Sequence, residues 1–136
     1  MKKNNNIISQ KNLMLKTLVM PSKKNVNGNI FGGWIMSQMD IGGAILAKEI
    51  SGNKVSTVHV NYITFLQPIS SGDLVFCYAK CIKIGNSSMT IQIEMWTKKV
   101  SKKNFGAYFC VAKSIFIYVA LDLNGKPKNL PNMCII

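Results

Sequence analysis

Residues 33–50, "GWIMSQMDIGGAILAKEI", most narrow what this chain can fold into. The segment has no Pro, and apolar residues fall on nearly every face, which predicts a helix buried all round and not a surface helix. Ser51, Gly52 and Asn53 stop it. Such a helix has to be covered by something large, and the residues C-terminal to it are strand-forming.

Residues 54–66, "KVSTVHVNYITFL", are rich in β-branched and aromatic residues and close at Pro68. "DLVFCYAKCIKI" at 73–84 and "SMTIQIEMWTKKV" at 88–100 flank Gly85-Asn86-Ser87, a turn joining two long strands. The second alternates with period two: Met89, Ile91, Ile93 and Met95 on one side, Thr90, Gln92, Glu94 and Trp96 on the other. Residues 106–122, "GAYFCVAKSIFIYVALD", form a further strand, and "LMLKTLVM" at 13–20 a first one that ends before Pro21. The order is strand, helix, four strands. A curved antiparallel sheet of about five strands wrapped around a long central helix, an α+β hot-dog architecture, is the simplest arrangement that covers the helix. With 136 residues and 48% hydrophobic content, the chain is expected to form one domain over 1–136.

Composition removes several functions. No run of about 18 apolar residues occurs, so a spanning helix and a membrane partner are not expected, and the N-terminal "MKKNNNIISQKN" lacks the apolar core of a secretion signal. A cytoplasmic protein is the expectation. Cys77, Cys81, Cys110 and Cys134 show no CxxC pairing and have one His in the chain to assist them, so they are expected to be reduced thiols and no metal site is expected. The net charge of +12 comes from Lys alone. These Lys are scattered, without an aromatic RNA-binding strand or a helix-turn-helix, so nucleic acid is not the expected partner.

The chemistry concentrates in "NVNGNIFGGWIMSQMD" at 25–40, where Asp40 is one of only five acidic residues. Gly32 and Gly33 fall at the helix start, where amides lack intrahelical partners and the macrodipole is positive. Such amides can polarise a carbonyl oxygen, and Gly lets an acyl group approach without a Cβ in the way. Asp40 comes two turns later, about 10 Å along the axis, on a face shared with Met36, Ser37, Gly43, Ala44 and Ala47. A carboxylate in an apolar helix needs a partner, water or a task. A satisfied polar residue bonding a loop amide, or one facing solvent, fits the residues as well as a catalytic one.

The same sixteen residues resemble the signature of the YciA-like acyl-CoA thioesterases of the hot-dog superfamily: an Asn followed by a Gly, a Gly-Gly pair, an apolar helix and an Asp. The likeness runs on through "GGAILAKEI", "TFLQPISSGDLV", "KIGNSSMTIQIEMWTKK" and "YVALD". It implies hydrolysis of acyl-CoA to a free acid and CoA, without a metal or resident cofactor. It also implies that Asp40 is the general base or nucleophile, that Asn25 positions the water or thioester, and that the amide of Gly32 or Gly33 holds the carbonyl oxygen. By the same resemblance the protein is a homodimer at minimum, with three dimers in a hexamer, and Asn25 and Asp40 come from opposite protomers. The CoA moiety is expected near Asn86, Ser87, Ser88, Lys83 and Lys98. The family commonly carries a basic residue where Asn86 stands, so Lys83, Lys98 or Lys99 would supply the charge. Two alternatives remain at this point: an acyl-CoA-binding module without turnover, and an acyl-thioester dehydratase, for which His59 is the only available His.

Overall fold

The alternation in 88–98 becomes a strand whose inward residues Met89, Ile91, Ile93 and Met95 are all fully buried. A computed structural model describes residues 12–21, 28–100 and 105–130. The elements are β1 (Asn12–Leu18), α1 (Gly32–Ser51), β2 (Lys54–Phe65), β3 (Leu74–Ile84), β4 (Ser88–Lys98) and β5 (Tyr108–Leu121). The five strands make one antiparallel sheet in the order β1-β3-β4-β5-β2. The segment read as a helix and the five read as strands all form as such, with ends displaced by at most two residues. This is the hot-dog fold, with α1 lying on the sheet.

α1 begins after Phe31, which supplies no side-chain cap, and ends at Gly52 in the left-handed region (φ 68°), whose amide donates to Lys48 O. Its buried residues Ile35, Met39, Gly42, Gly43, Leu46 and Ala47 recur every three to four positions and form one stripe against the sheet. This corrects the expectation of a helix buried all round. Met36, Ser37 and Ile41 are exposed, Ile41 by 49%. One protomer's sheet reaches only part of the helix circumference, and apolar composition on the remaining side does not bury it.

The contact is close because Gly42 and Gly43 present no side chain to the sheet. A Cβ at Gly42 would collide with Cys77 Sγ of β3, and one at Gly43 with the Tyr118 hydroxyl of β5 and Ile93 of β4. The small residues on this stripe therefore admit the protein's own sheet side chains. Around Cys77, burial pushes the thiol up to about 12.

β2 is an edge strand whose outer side pairs with no other strand among the described residues, and its side chains are exposed on both faces over most of its length. Val58, Tyr62 and Phe65 are among the exposed apolar residues, Val58 by 55%. Elsewhere, Asp73 is buried at the start of β3, where Oδ2 accepts from Ser70 N at 2.9 Å and from Lys99 Nζ at 2.6 Å.

Gly43→Ala is expected to lower unfolding free energy by about 1–3 kcal/mol, the usual cost of overpacking a filled core. Gly33→Ala, where a Cβ meets nothing within 4 Å, is expected to leave stability unchanged or slightly raised. Urea unfolding of the two variants provides the comparison.

Candidate active site

Asp40 sits in the middle of α1, partly exposed, with its carboxylate turned toward the junction of β2 and β5. In that junction Thr57 and Tyr118 are directly paired residues of the two strands. Thr57 Oγ1 donates to Asp40 Oδ1 at 2.5 Å. Tyr118 Oη lies 3.0 Å from the same Oδ1 and 2.8 Å from the main-chain oxygen of Asp40. One carboxylate oxygen thus carries both hydroxyls, while Oδ2 accepts no hydrogen bond from the described residues. Burial, the Asp40 charge and the hydrogen bond to it push the Tyr118 phenol up, so it remains a donor.

The other carboxylates have different surroundings. Asp73 holds Lys99 and a loop amide, Asp122 accepts from the amides of Asn124 and Lys126, Glu94 accepts from Trp96 Nε1, and Glu49 is an exposed helix residue. An acceptor oxygen left open while the other is held by a buried phenol and an exposed threonine hydroxyl is an arrangement suited to proton transfer or nucleophilic attack.

Gly32 and Gly33 occupy the first positions of α1, where the amides have no intrahelical acceptor. Space beside Gly33 is open, whereas Gly32 is backed by the Phe65 ring, 3.3 Å from where a Cβ would stand. The segment leading in is tied down by Ile30 N donating to Ile69 O at 3.0 Å. Asn25 lies outside the described residues, as does Cys134.

The residues matched to the CoA end separate into two places. Asn86 and Ser87 lie in the β3–β4 turn, Ser88 opens β4, and exposed Lys83 is near the end of β3. This turn is at the Tyr118 end of the sheet, since Ser88 pairs with Val119 and Ser87 O accepts from Ala120 N. Lys98 is at the opposite end of β4, roughly 34 Å away along an extended strand, so one protomer does not bring it to the turn. Lys99 is occupied by Asp73. His59 is an exposed residue of β2. A cavity of about 530 Å³ between the start of β2 and the residues after β5 is lined by residues including Asn53, Lys54, Asp122 and Lys128, and does not include Asp40.

Thr57 and Tyr118 were not distinguishable in the sequence from other strand residues. The available signal was indirect: a carboxylate in an apolar helix needs donors, and hydroxyls in the facing strands are the candidates. Which hydroxyls face it depends on the β2–β5 register.

The chain matches the Thioesterase superfamily over residues 27–103. It is 60% identical over 131 residues to an uncharacterized acyl-CoA thioester hydrolase of Buchnera aphidicola subsp. Schizaphis graminum, covering 96% of this chain and 97% of that one. To the acyl-CoA thioester hydrolase YciA of Escherichia coli K12 it is 52% identical over 124 residues, covering 91% and 94%. The crystal structure of a hexameric thioesterase from Yersinia pestis superposes with a TM-score of 0.85 at 56% identity, over 90% of this chain and 97% of that chain. With its hot-dog sheet, its Gly-Gly helix start and its singly occupied Asp40 carboxylate, the chain belongs to the thioesterase superfamily, among the YciA-like acyl-CoA thioester hydrolases.

Proposed function

We propose that this protein hydrolyses acyl-CoA thioesters to a carboxylic acid and CoA, with Asp40 as general base. The observation that carries the assignment is the open Oδ2 of a carboxylate whose other oxygen is held by Thr57 and Tyr118. Oδ2 takes a proton from water as the water oxygen bonds to the thioester carbon. Negative charge then collects on the carbonyl oxygen, where the first amides of α1, at Gly32 or Gly33, stabilise it. Collapse of the tetrahedral species breaks the C–S bond, and the departing thiolate takes up the proton that Asp40 removed. Water, a base and oriented amides complete the reaction without a resident metal or cofactor.

Asn25 orients the attacking water in this scheme, contributed by the opposite protomer of a dimer. Support for that assembly comes from the edge position of β2 with its exposed apolar residues, a surface able to pair with another chain. A hexamer of three dimers matches the hexameric Yersinia pestis relative. The β3–β4 turn, with Lys83, Asn86, Ser87 and Ser88, takes the CoA end, and Lys98 serves a different contact.

Thiol release from a panel of short, medium and long acyl-CoAs measures the activity directly. Asp40→Asn is expected to lower kcat by about 10²–10⁴-fold, the span typical of a general base, with the oligomer intact; unchanged turnover would sink the mechanism. Single-turnover hydrolysis in ¹⁸O-water separates the two roles of a carboxylate. General-base catalysis places the label in the released acid and leaves Asp40 unlabelled at the first turnover, whereas attack by Asp40 forms a mixed anhydride whose hydrolysis at the aspartyl carbon releases unlabelled acid and leaves the label in Asp40. Charge on the edge strand, as in Val58→Asp with Val60→Asp, is expected to yield monomers on analytical ultracentrifugation and to abolish activity with them.

A further inference from the structure

Tyr118 is fully buried, the largest side chain in the core to be so, yet its hydroxyl leaves the apolar interior to meet Asp40. The route exists because Gly43, one helical turn after Asp40, has no Cβ to occupy the hydroxyl's position. The phenol is anchored from every side. β5 is flanked by β4 and β2, Tyr118 pairs with Met89 on one and Thr57 on the other, and its ring stacks near Phe116 with centroids 6.1 Å apart. Its single oxygen contacts both the main-chain oxygen and Oδ1 of the same aspartate. The main-chain oxygen is fixed by the helix, so a phenol seated against it offers Oδ1 a fixed contact point beside Thr57, and Oδ2 is left as the oxygen that no described residue holds.

We propose that Tyr118 is a positioning residue for the Asp40 base, setting the direction of Oδ2 without exchanging a proton in the reaction. The inference rests on the assignment of Asp40 as the base. Proton transfer by Tyr118 itself is opposed by its surroundings, since burial and the neighbouring carboxylate both hold the phenol in its neutral form. The residue therefore contributes geometry, and geometry at a reacting centre is costly to lose: a misplacement of about 1 Å can cost about 10²-fold in rate.

The experiment compares Tyr118→Phe, Asp40→Asn and the double variant, each purified as the intact oligomer and assayed on one acyl-CoA. Tyr118→Phe keeps the ring and removes the hydroxyl. It is expected to retain the oligomer and a thermal midpoint within a few degrees, to lose about 10–100-fold in kcat, and to change KM and CoA affinity by less than about twofold. The double variant is expected to be no slower than Asp40→Asn, because the hydroxyl acts only through the carboxylate. A Tyr118→Phe enzyme with undiminished kcat beside an inactive Asp40→Asn overturns the role of Tyr118 alone, as does a loss confined to KM. An active Asp40→Asn overturns the base assignment, and the positioning role with it. Should Tyr118→Phe fail to assemble, Gly43→Ala moves the same hydroxyl by steric pressure, and the same loss in kcat at constant KM is expected; unaltered kcat there counts against the proposal.

Discussion

The approach of α1 to the sheet at Gly42 and Gly43 is the constraint on which the rest of the molecule depends. Side chains at those two positions would hold the helix away from β3, β4 and β5, because Cys77, Ile93 and Tyr118 already fill the space. With the backbone in direct contact, a tyrosine rooted in β5 can reach across to a carboxylate on the helix. Core packing and site geometry are thus one arrangement. A change at Gly43 acts on both, whereas one at Gly33 lies outside the packed stripe.

The open side of the protomer has its origin in the same geometry. A helix pressed into a sheet along one stripe keeps its other flank, with Met36 and Ile41, uncovered, and β2 at the sheet edge leaves Val58 and Tyr62 uncovered too. These surfaces give a second protomer somewhere to bind. In the proposed dimer they turn a shallow, solvent-facing Asp40 into one wall of an enclosed site.

Much of this was legible in the residues, for identifiable reasons. Alternation in β4 and the composition of β2, β3 and β5 are local signals, so the strands could be read one at a time. Asp40 stood out by scarcity and by its apolar setting, and the Gly pair by its place before the helix. The side on which α1 would remain bare was not legible, because apolar composition does not say how far a sheet extends around it. Thr57 and Tyr118 were hidden for a different reason. They are 61 residues apart in sequence, and their meeting is created by strand pairing, which no local pattern encodes. The separation of Lys98 from Asn86 is of the same kind: Asn86 precedes β4 and Lys98 ends it, and the length of the strand keeps them apart.

The burial of Cys77 beneath the helix bears on the product of the proposed reaction. Each turnover would release a free thiol, and CoA in its oxidised form is a disulfide able to trap an exposed protein thiolate. Cys77 is fully buried and burial pushes its thiol up to about 12, so it stays protonated at neutral pH, whereas thiol–disulfide exchange proceeds through an accessible thiolate. The cysteine that fills the notch at Gly42 is therefore inert toward the coenzyme. Packing that draws the helix down onto the sheet also keeps this one thiol from exchange with oxidised CoA.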